Sequence, residues 1–170
     1  MRNLEFKAQL VDARAMLVRA RGIGAELWGD LRQTDTYFNV GRGRLKLRET
    51  AGYGAELIFY ERAEESSDRP SDYFVTAVPD PASARDVLER ALGVQGVVRK
   101  QRTLVTLDSV RVHFDNVDGL GQFLEIEVPV LDGDEGAAAR RLNGLVESLG
   151  YSWDDCIRRS YLDLVRERVT

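Results

Sequence analysis

Basic residues occupy every second position in two short segments of the chain. Arg44, Lys46 and Arg48 form the first segment, and Lys100 and Arg102 repeat the same spacing. On a β-strand this spacing puts the side chains on one face. Guanidinium groups bind phosphate oxygens through paired hydrogen bonds, and lysines add point charges. The pattern therefore predicts a surface that can bind a chain of phosphates.

Acidic residues show the same period of two elsewhere in the chain. Glu125 and Glu127 alternate with apolar residues, and near the N-terminus Glu5 shares its parity with Lys7. Oxygen ligands of this kind suit Mg²⁺ or Mn²⁺, which commonly bridge phosphates. The segregated signs therefore predict a phosphate chain held between a wall of cations and a wall of carboxylates with a metal.

Short strands must position these groups. Alternating polar and apolar residues predict eight of them, and glycine-containing turns between several neighbours indicate antiparallel hairpins. The expected strands are Asn3–Ala8, Thr34–Val40, Arg44–Glu49, Glu56–Arg62, Tyr73–Val78, Val97–Leu107, Val110–Val117 and Phe123–Val130. The stretch from Glu61 to Asp72 is expected to be one surface loop.

Four amphipathic helices are expected beside the strands. One begins after Asp12 and ends at Gly22, and a second begins after Asp80 with Pro81 in its first position. The others cover Glu135–Leu149 and Ser160–Arg168. Their apolar stripes need an apolar surface, which the strands provide on the faces opposite to their charges.

This arrangement predicts an α+β fold: an eight-stranded antiparallel β-barrel with helices packed outside and charges inside. An open sheet with one wetted, charged face is the alternative that the residues alone leave open. Burying seven cations against four carboxylates would be costly unless a polyanion were bound. The seven are Lys7, Arg44, Lys46, Arg48, Arg62, Lys100 and Arg102, and the four are Glu5, Asp115, Glu125 and Glu127.

Length and composition limit the other classes of function. A chain of 170 residues fits one domain over residues 1–170. The net charge of −4 gives no overall basic field for nucleic acid. No apolar run reaches the roughly 18 residues that a membrane helix needs. The single cysteine, Cys156, fits a reducing cytoplasm.

Several segments, in order along the chain, resemble the CYTH superfamily, the triphosphate tunnel metalloenzymes. These include class IV adenylyl cyclases and thiamine triphosphatases. The N-terminal Asn3-Leu4-Glu5-Phe6-Lys7 is similar to an E-x-E-x-K signature with Asn3 in place of the first Glu. The similarity continues through Gln33–Phe38, Arg44–Glu49, Leu57–Arg62, Ser71–Tyr73, Val98–Arg102, His113–Glu127 and Ser160–Leu164.

The resemblance implies a tunnel with a divalent metal, Mg²⁺ or Mn²⁺, near Glu5, Glu125 and Glu127. It implies that the phosphates of a small triphosphate substrate lie against the seven cations. The implied catalytic residues are Lys7, Lys46 and Asp115, with Asp115 orienting basic side chains or a metal-bound water. Asn3 is uncharged and could weaken one metal site.

Two reactions fit such a site. A class IV adenylyl cyclase would convert ATP to cyclic AMP and pyrophosphate, and a triphosphatase would hydrolyse inorganic, nucleoside or thiamine triphosphate. A non-catalytic module that binds polyphosphate or nucleotides is a third hypothesis. The general base stays open between Tyr60, Lys46 and a metal-bound hydroxide, and His113 is expected to be structural. A homodimer could use an exposed sheet face or the C-terminal helix.

Overall fold

The computed structural model describes residues 2–62, 70–131 and 133–169, without the side chains of Arg62, Pro70, Ser71 and Val169. Eight antiparallel strands form a closed barrel in the order β1-β5-β4-β3-β2-β6-β7-β8. The strands are β1 (Arg2–Gln9), β2 (Glu26–Phe38), β3 (Arg44–Thr50), β4 (Gly54–Arg62), β5 (Pro70–Ala77), β6 (Val94–Leu107), β7 (Val110–Val117) and β8 (Gly121–Pro129).

Four helices lie outside the barrel, as the amphipathic patterns predict. They are α1 (Ala13–Gly22), α2 (Pro81–Leu92), α3 (Glu135–Ser148) and α4 (Tyr161–Val169). The expected caps are present: the Asp12 carboxylate accepts a hydrogen bond from the Ala15 amide, and Asp80 accepts one from the Ser83 amide. Among the described residues, no helix is both long and apolar enough to cross a bilayer.

The apolar core lies between the outer strand faces and the helices. Phe6, Leu124 and Ile126 are fully buried against α3, where Leu142 is also buried, and Leu149 is buried directly after this helix. A smaller cluster joins the outer faces of β3 and β4 to α2. Because these outer faces bury the apolar residues of the strands, the alternating charged residues must point into the barrel. The predicted fold is confirmed.

Two predicted boundaries were wrong. The second strand begins at Glu26, eight residues before the predicted Thr34, and it pairs with the long β6 along most of this length. The charged and glycine-containing start of β2 carries no clear alternation, so its pairing with β6 decides its conformation. In the predicted loop, Glu61 and Arg62 belong to β4 and Pro70–Asp72 to β5; residues 63–69 lie outside the described part.

Candidate functional site

All eight strands contribute side chains to one cavity of about 390 Å³ inside the barrel. Its described lining contains six cations (Lys7, Lys46, Arg48, Lys100, Arg102 and Arg111) and five carboxylates (Glu5, Asp35, Glu56, Glu125 and Glu127). The surplus of cations expected from the sequence is therefore much smaller than predicted. The charges are matched within the protein, which is how a folded chain can keep so many of them in its interior.

Most of the predicted site residues meet in this cavity, but Arg44 and Asp115 do not line it, and the position of the Arg62 side chain is not described. Arg44 turns towards α4 and donates to both oxygens of Asp163, at 3.0 and 2.8 Å. Asp115 lies behind the cavity wall, and its side chain is completely buried. Arg62 ends β4, and its side chain lies outside the described part of the structure. The roles of these three residues in phosphate binding or catalysis stay predictions.

The cations of β3 are held by Asp35, a residue of β2 that the sequence analysis did not select. Lys46 Nζ donates to Asp35 Oδ2 at 2.9 Å. Arg48 donates through Nε and Nη2 to the two oxygens, both at 2.7 Å. Asp35 is directly opposite Arg48 in the β2–β3 ladder, so the strand register itself creates the contact. One carboxylate thus fixes the positions of both cations.

The cations of β6 repeat this arrangement. Lys100 Nζ donates to Asp115 Oδ2 at 3.0 Å, and Arg102 donates to both Asp115 oxygens at 2.6 Å. Asp115 of β7 is opposite Arg102 in the β6–β7 ladder, as Asp35 is opposite Arg48. The barrel therefore holds two equivalent groups, each with an aspartate on one strand that binds a Lys-x-Arg pair on its neighbour.

Burial and neighbouring charges compete over the protonation of these groups. Burial alone would raise the pKa of Asp35, but the charges of Arg48 and Lys46 outweigh it and hold this pKa well below the ordinary value of 3.8. Burial and the nearby Arg48 together lower the pKa of Lys46 to about 8. Lys46 is therefore a cation near neutral pH that loses its proton more readily than an exposed lysine.

The acidic wall lies on β8, with Glu5 of β1 next to it. Glu125 contacts Lys7 Nζ at 3.2 Å through Oε1 and accepts from Arg102 Nη2 at 2.8 Å through Oε2. Glu127 Oε2 lies 2.8 Å from Arg111 Nη2. Glu5 is opposite Glu127 in the β1–β8 ladder. In the closed barrel β8 is four strands away from β3, so the acidic wall faces the cations of β3.

His113 completes a cluster with the two glutamates of β8. One ligand atom from each of His113, Glu125 and Glu127 lies within 4.8 Å of the others. Two carboxylates and an imidazole form a reasonable donor set for a divalent ion, so the site fits the metal that the sequence implies. The predicted third ligand, Glu5, lines the same cavity but is not in this cluster.

Aromatic rings hold the lysines from the side. Lys7 Nζ lies 4.2 Å from the centre of the Tyr161 ring, and Lys100 Nζ lies 5.1 Å from it. Lys46 Nζ lies 5.5 and 5.6 Å from the rings of Tyr37 and Tyr60. These are cation–π distances. Tyr161, which opens α4, was not selected from the sequence, because nothing in the chain indicates that this helix reaches the cavity.

Three buried polar side-chain atoms lack a hydrogen-bond partner among the described residues. They are Oε1 of Gln33, Nδ1 of His113 and the hydroxyl of Tyr161. All three residues line the cavity. Buried polar atoms are nearly always paired with protein, water or a ligand, so this concentration shows that the cavity suits polar contents.

Asn3, the departure from the family signature, is buried in the cavity wall. In the amide orientation that satisfies both ends, its oxygen accepts from Arg111 Nη2 at 3.1 Å and its nitrogen donates to the Arg2 carbonyl at 3.2 Å. Asn3 therefore contacts the arginine that also binds Glu127. In this position its amide supports a cation instead of adding a negative charge to the acidic wall.

Comparison with known proteins places this site in a family. The family model of the CYTH domain matches residues 1–161. The chain belongs to the CYTH family. A protein of Methanocaldococcus jannaschii, provisionally named as an adenylate cyclase, is 25% identical to this CYTH chain over 175 residues, which cover 96% of this chain and 98% of the relative.

Solved structures share the CYTH fold. A protein of Pyrococcus horikoshii is 25% identical and superposes with a TM-score of 0.86, covering 95% of this chain and 98% of its own. A Hippeastrum protein, provisionally an adenylyl cyclase and described as having a dominant triphosphatase activity, is 15% identical with a TM-score of 0.69. The match covers 99% of this chain and 96% of that one, and it shows a common fold.

Proposed function

We propose that this protein is a metal-dependent enzyme that binds a small triphosphate substrate inside the barrel. One observation carries the proposal: a single cavity brings together two Asp-held Lys-x-Arg pairs and a cluster of two glutamates and a histidine. Family membership supports the same conclusion. We propose the whole chain as one domain.

The cations and carboxylates would have separate tasks. Lys46, Arg48, Lys100 and Arg102 would bind non-bridging phosphate oxygens and stabilise the negative charge that develops during phosphoryl or nucleotidyl transfer. Asp35 and Asp115 would hold these cations in place, so that little rearrangement is needed during the reaction. Lys7, held between Glu125 and the Tyr161 ring, would bind the end of the phosphate chain that is nearest to the acidic wall.

The cavity lining identifies groups that would hold a divalent ion. Glu125 and Glu127 would supply carboxylate ligands, with Glu5 near them on β1. When bound, Mg²⁺ or Mn²⁺ would neutralise phosphate charge and polarise a phosphorus–oxygen bond. Arg111 contacts Oε2 of Glu127 and Arg102 contacts Oε2 of Glu125, and these two arginines would orient the carboxylates.

We place an adenylyl cyclase of class IV type first among the activities. An apolar and aromatic part of the lining, which includes Ile58, Tyr60, Tyr73 and Val75, offers a surface for an organic group next to the phosphates. The relative from Methanocaldococcus jannaschii, with its provisional cyclase name, supports the same choice. The 3′-hydroxyl of ATP would then attack the α-phosphorus, and pyrophosphate would leave.

A triphosphatase is the second candidate. Glu56 is exposed at the cavity lining, and the side chain of Arg111 is 43% exposed, so water can reach the phosphates. Hydrolysis would use the same cations with water as the nucleophile. For either activity we propose a cytoplasmic location, on the basis of the single cysteine, and we expect no nucleic-acid or membrane partner. A homodimer stays a prediction.

Product analysis distinguishes the candidates. The purified protein is incubated with ATP, thiamine triphosphate or inorganic triphosphate, with Mg²⁺ or Mn²⁺, and cyclic AMP, pyrophosphate and orthophosphate are separated. Cyclic AMP with pyrophosphate supports the cyclase, and orthophosphate alone supports the triphosphatase. Tight binding of triphosphate without turnover would instead indicate a binding module and refute the enzyme.

Two variants control this assay. Glu127→Gln removes one charge from the acidic wall and should abolish metal-dependent turnover with the fold intact. Glu49→Gln makes the same change at an ion pair with Arg85 of α2, 2.9 Å long and outside the barrel, and should keep the activity. Full turnover by Glu127→Gln would contradict the proposed acidic wall.

A further inference from the structure

We infer that His113 is itself a metal ligand, through Nδ1, and that it joins Glu125 and Glu127 in a mixed nitrogen and oxygen site that favours a transition-metal ion such as Mn²⁺ over Mg²⁺. This inference rests on the proposed function, because it concerns the metal of the same site. It changes the expected ligand set of Glu5, Glu125 and Glu127 by bringing in a residue that the sequence predicts to be structural.

Strand geometry places the three side chains on one surface. His113 is opposite Glu125 in the β7–β8 ladder, and Glu127 is two residues further along β8, on the same face. His113 Nδ1 lies 3.8 Å from Glu125 Oε2 and 3.7 Å from Glu127 Oε1. The cluster is therefore formed by adjacent positions of two paired strands and not by a flexible loop.

The imidazole is in an unusual state for a structural histidine. His113 is 3% exposed, and its Nδ1 has no hydrogen-bond partner within the described ranges 2–62, 70–131 and 133–169. Its distances to the two carboxylate oxygens are too long for hydrogen bonds. Such a nitrogen has lost its hydration on burial, and the two carboxylate oxygens that face it do not replace the lost hydrogen bond. A cation between the three atoms removes this cost.

The three ligand atoms lie within 4.8 Å of one another, so side-chain rotations would have to bring them closer together to enclose a cation. Metal–ligand bonds of about 2.0–2.2 Å put neighbouring ligands about 3.0–3.4 Å apart. The two distances from Nδ1 would shorten by about half an ångström, which side-chain rotations can provide.

Lysine and arginine contacts orient the two carboxylates, and one oxygen of each carboxylate faces His113. Arg111 binds Oε2 of Glu127, and Oε1 of the same carboxylate is the atom that faces the imidazole. Lys7 contacts Oε1 of Glu125, while Oε2 faces both Arg102 and the imidazole. Lys and Arg donors contact both oxygens of Asp35, Asp115 and Glu125, whereas the arginine contact of Glu127 is on Oε2 and its Oε1 faces the imidazole. Among the described residues, Glu125 and Glu127 are the carboxylates that share a cluster with an imidazole, which makes this part of the acidic lining the best suited to a metal.

The type of donor determines which ion is preferred. Mg²⁺ prefers oxygen ligands and gives up its water reluctantly, whereas imidazole nitrogen suits first-row transition metals. Manganese accepts the carboxylates as well as the nitrogen. We therefore expect Mn²⁺ to bind more tightly than Mg²⁺, with the difference caused by His113.

The test measures binding of Mn²⁺ to the full chain without substrate. Paramagnetic resonance counts free Mn²⁺ during a titration, Mg²⁺ is added as a competitor, and pulsed measurements detect nitrogen coupled directly to the bound ion. We expect nitrogen coupling in the wild type. In His113→Asn the coupling should vanish and Mn²⁺ affinity should fall at least about tenfold, since even indirect partners of metal ligands are worth roughly 10- to 100-fold.

The preference for Mn²⁺ over Mg²⁺ should be smaller in His113→Asn than in the wild type. Because asparagine offers an amide oxygen, Mg²⁺ affinity should fall much less than Mn²⁺ affinity in His113→Asn. Glu49→Gln should leave both affinities unchanged. His113→Gln is measured as a second variant of the same position as His113→Asn. Thermal unfolding without metal identifies any variant that has lost its fold.

Absence of nitrogen coupling in the wild type would overturn the inference, whatever the variants do. So would failure of Mn²⁺ to bind, or an equal loss of Mg²⁺ and Mn²⁺ affinity in a folded His113→Asn. The proposed function fails separately: bound Mn²⁺ with nitrogen coupling but no turnover of any triphosphate keeps the ligand and rejects the enzyme. Turnover with Mg²⁺ but no nitrogen coupling keeps the enzyme and rejects His113 as a metal ligand.

Discussion

The replacement of Asp35 by asparagine tests most directly how the cationic wall is built. Asp35→Asn keeps the size of the side chain but removes the charge that binds Lys46 and both donors of Arg48. Removing one partner of a buried ion pair costs about 3–5 kcal/mol, because the other charge stays buried without compensation. The side chains of Lys46 and Arg48 are 11% and 16% exposed to the cavity, so we expect the lower end, about 3 kcal/mol.

Urea denaturation, followed by tryptophan fluorescence, measures the loss. Glu49→Gln is the matched control, because it also neutralises a carboxylate of the β2–β3 strand pair. Glu49 forms a 2.9 Å ion pair with Arg85, and both side chains are partly exposed. We expect that control to lose less than about 1 kcal/mol.

A second measurement separates charge from packing. Asp35→Asn leaves two cations without their carboxylate, so inorganic triphosphate should stabilise the variant more than the wild type. The difference in free energy of unfolding between the two proteins should therefore become smaller when triphosphate is added. A loss below about 1 kcal/mol, or an unchanged difference at saturating triphosphate, would refute the conclusion that the charge of Asp35 organises this wall.

Three further predictions concern other parts of the barrel. Because the pKa of Lys46 is lowered to about 8, triphosphate binding should weaken as the pH rises through that value, and Lys46→Arg, which stays charged, should remove this dependence in calorimetric titrations. Gly43 has φ +63°, and a Cβ at this position would lie 2.8 Å from the Tyr60 carbonyl oxygen. Gly43→Ala should therefore lower the free energy of unfolding, measured by urea denaturation, by at least about 1–2 kcal/mol. Tyr161→Phe removes an unpaired buried hydroxyl and should leave thermal stability unchanged or slightly higher while weakening substrate binding; a large loss of stability would show that the hydroxyl has a structural partner.

The orientation of the strand faces could be predicted from the sequence because helices and strands make complementary demands. Phe6, Leu124 and Ile126 alternate with charged residues, and the helices need an apolar surface to cover. Both demands are satisfied when the apolar faces lie against the helices, and closure of the sheet into a barrel then puts the charged faces inside. That argument needs the period of each segment but no contact between particular residues, so it does not depend on the register of the strands.

The partners of the charges could not be predicted in the same way. Asp35 binds Lys46 and Arg48 because of the register of β2 against β3, which the sequence does not specify. The predicted strand begins at Thr34, so it leaves out Gln33, which shares the cavity face with Asp35. Arg44 binds Asp163, 119 residues away, so a residue of α4 takes a cation that the alternation alone assigns to the interior. Such pairings depend on how the closed barrel meets its helices.

The near balance of charge changes the physical reason for phosphate binding. A surplus of cations would attract any anion by net charge, and salt would screen that attraction readily. Here the buried Asp35 and Asp115 hold the cations in fixed positions, while the side chains of those cations line the cavity. A phosphate chain then meets donors that are already oriented and does not need to reorganise them, which is the condition under which electrostatic stabilisation contributes most to a reaction. The two aspartates thus weaken the non-specific attraction of anions, because they lower the net positive charge of the site. They strengthen its ability to stabilise a reacting phosphate, because they hold the donors in fixed positions.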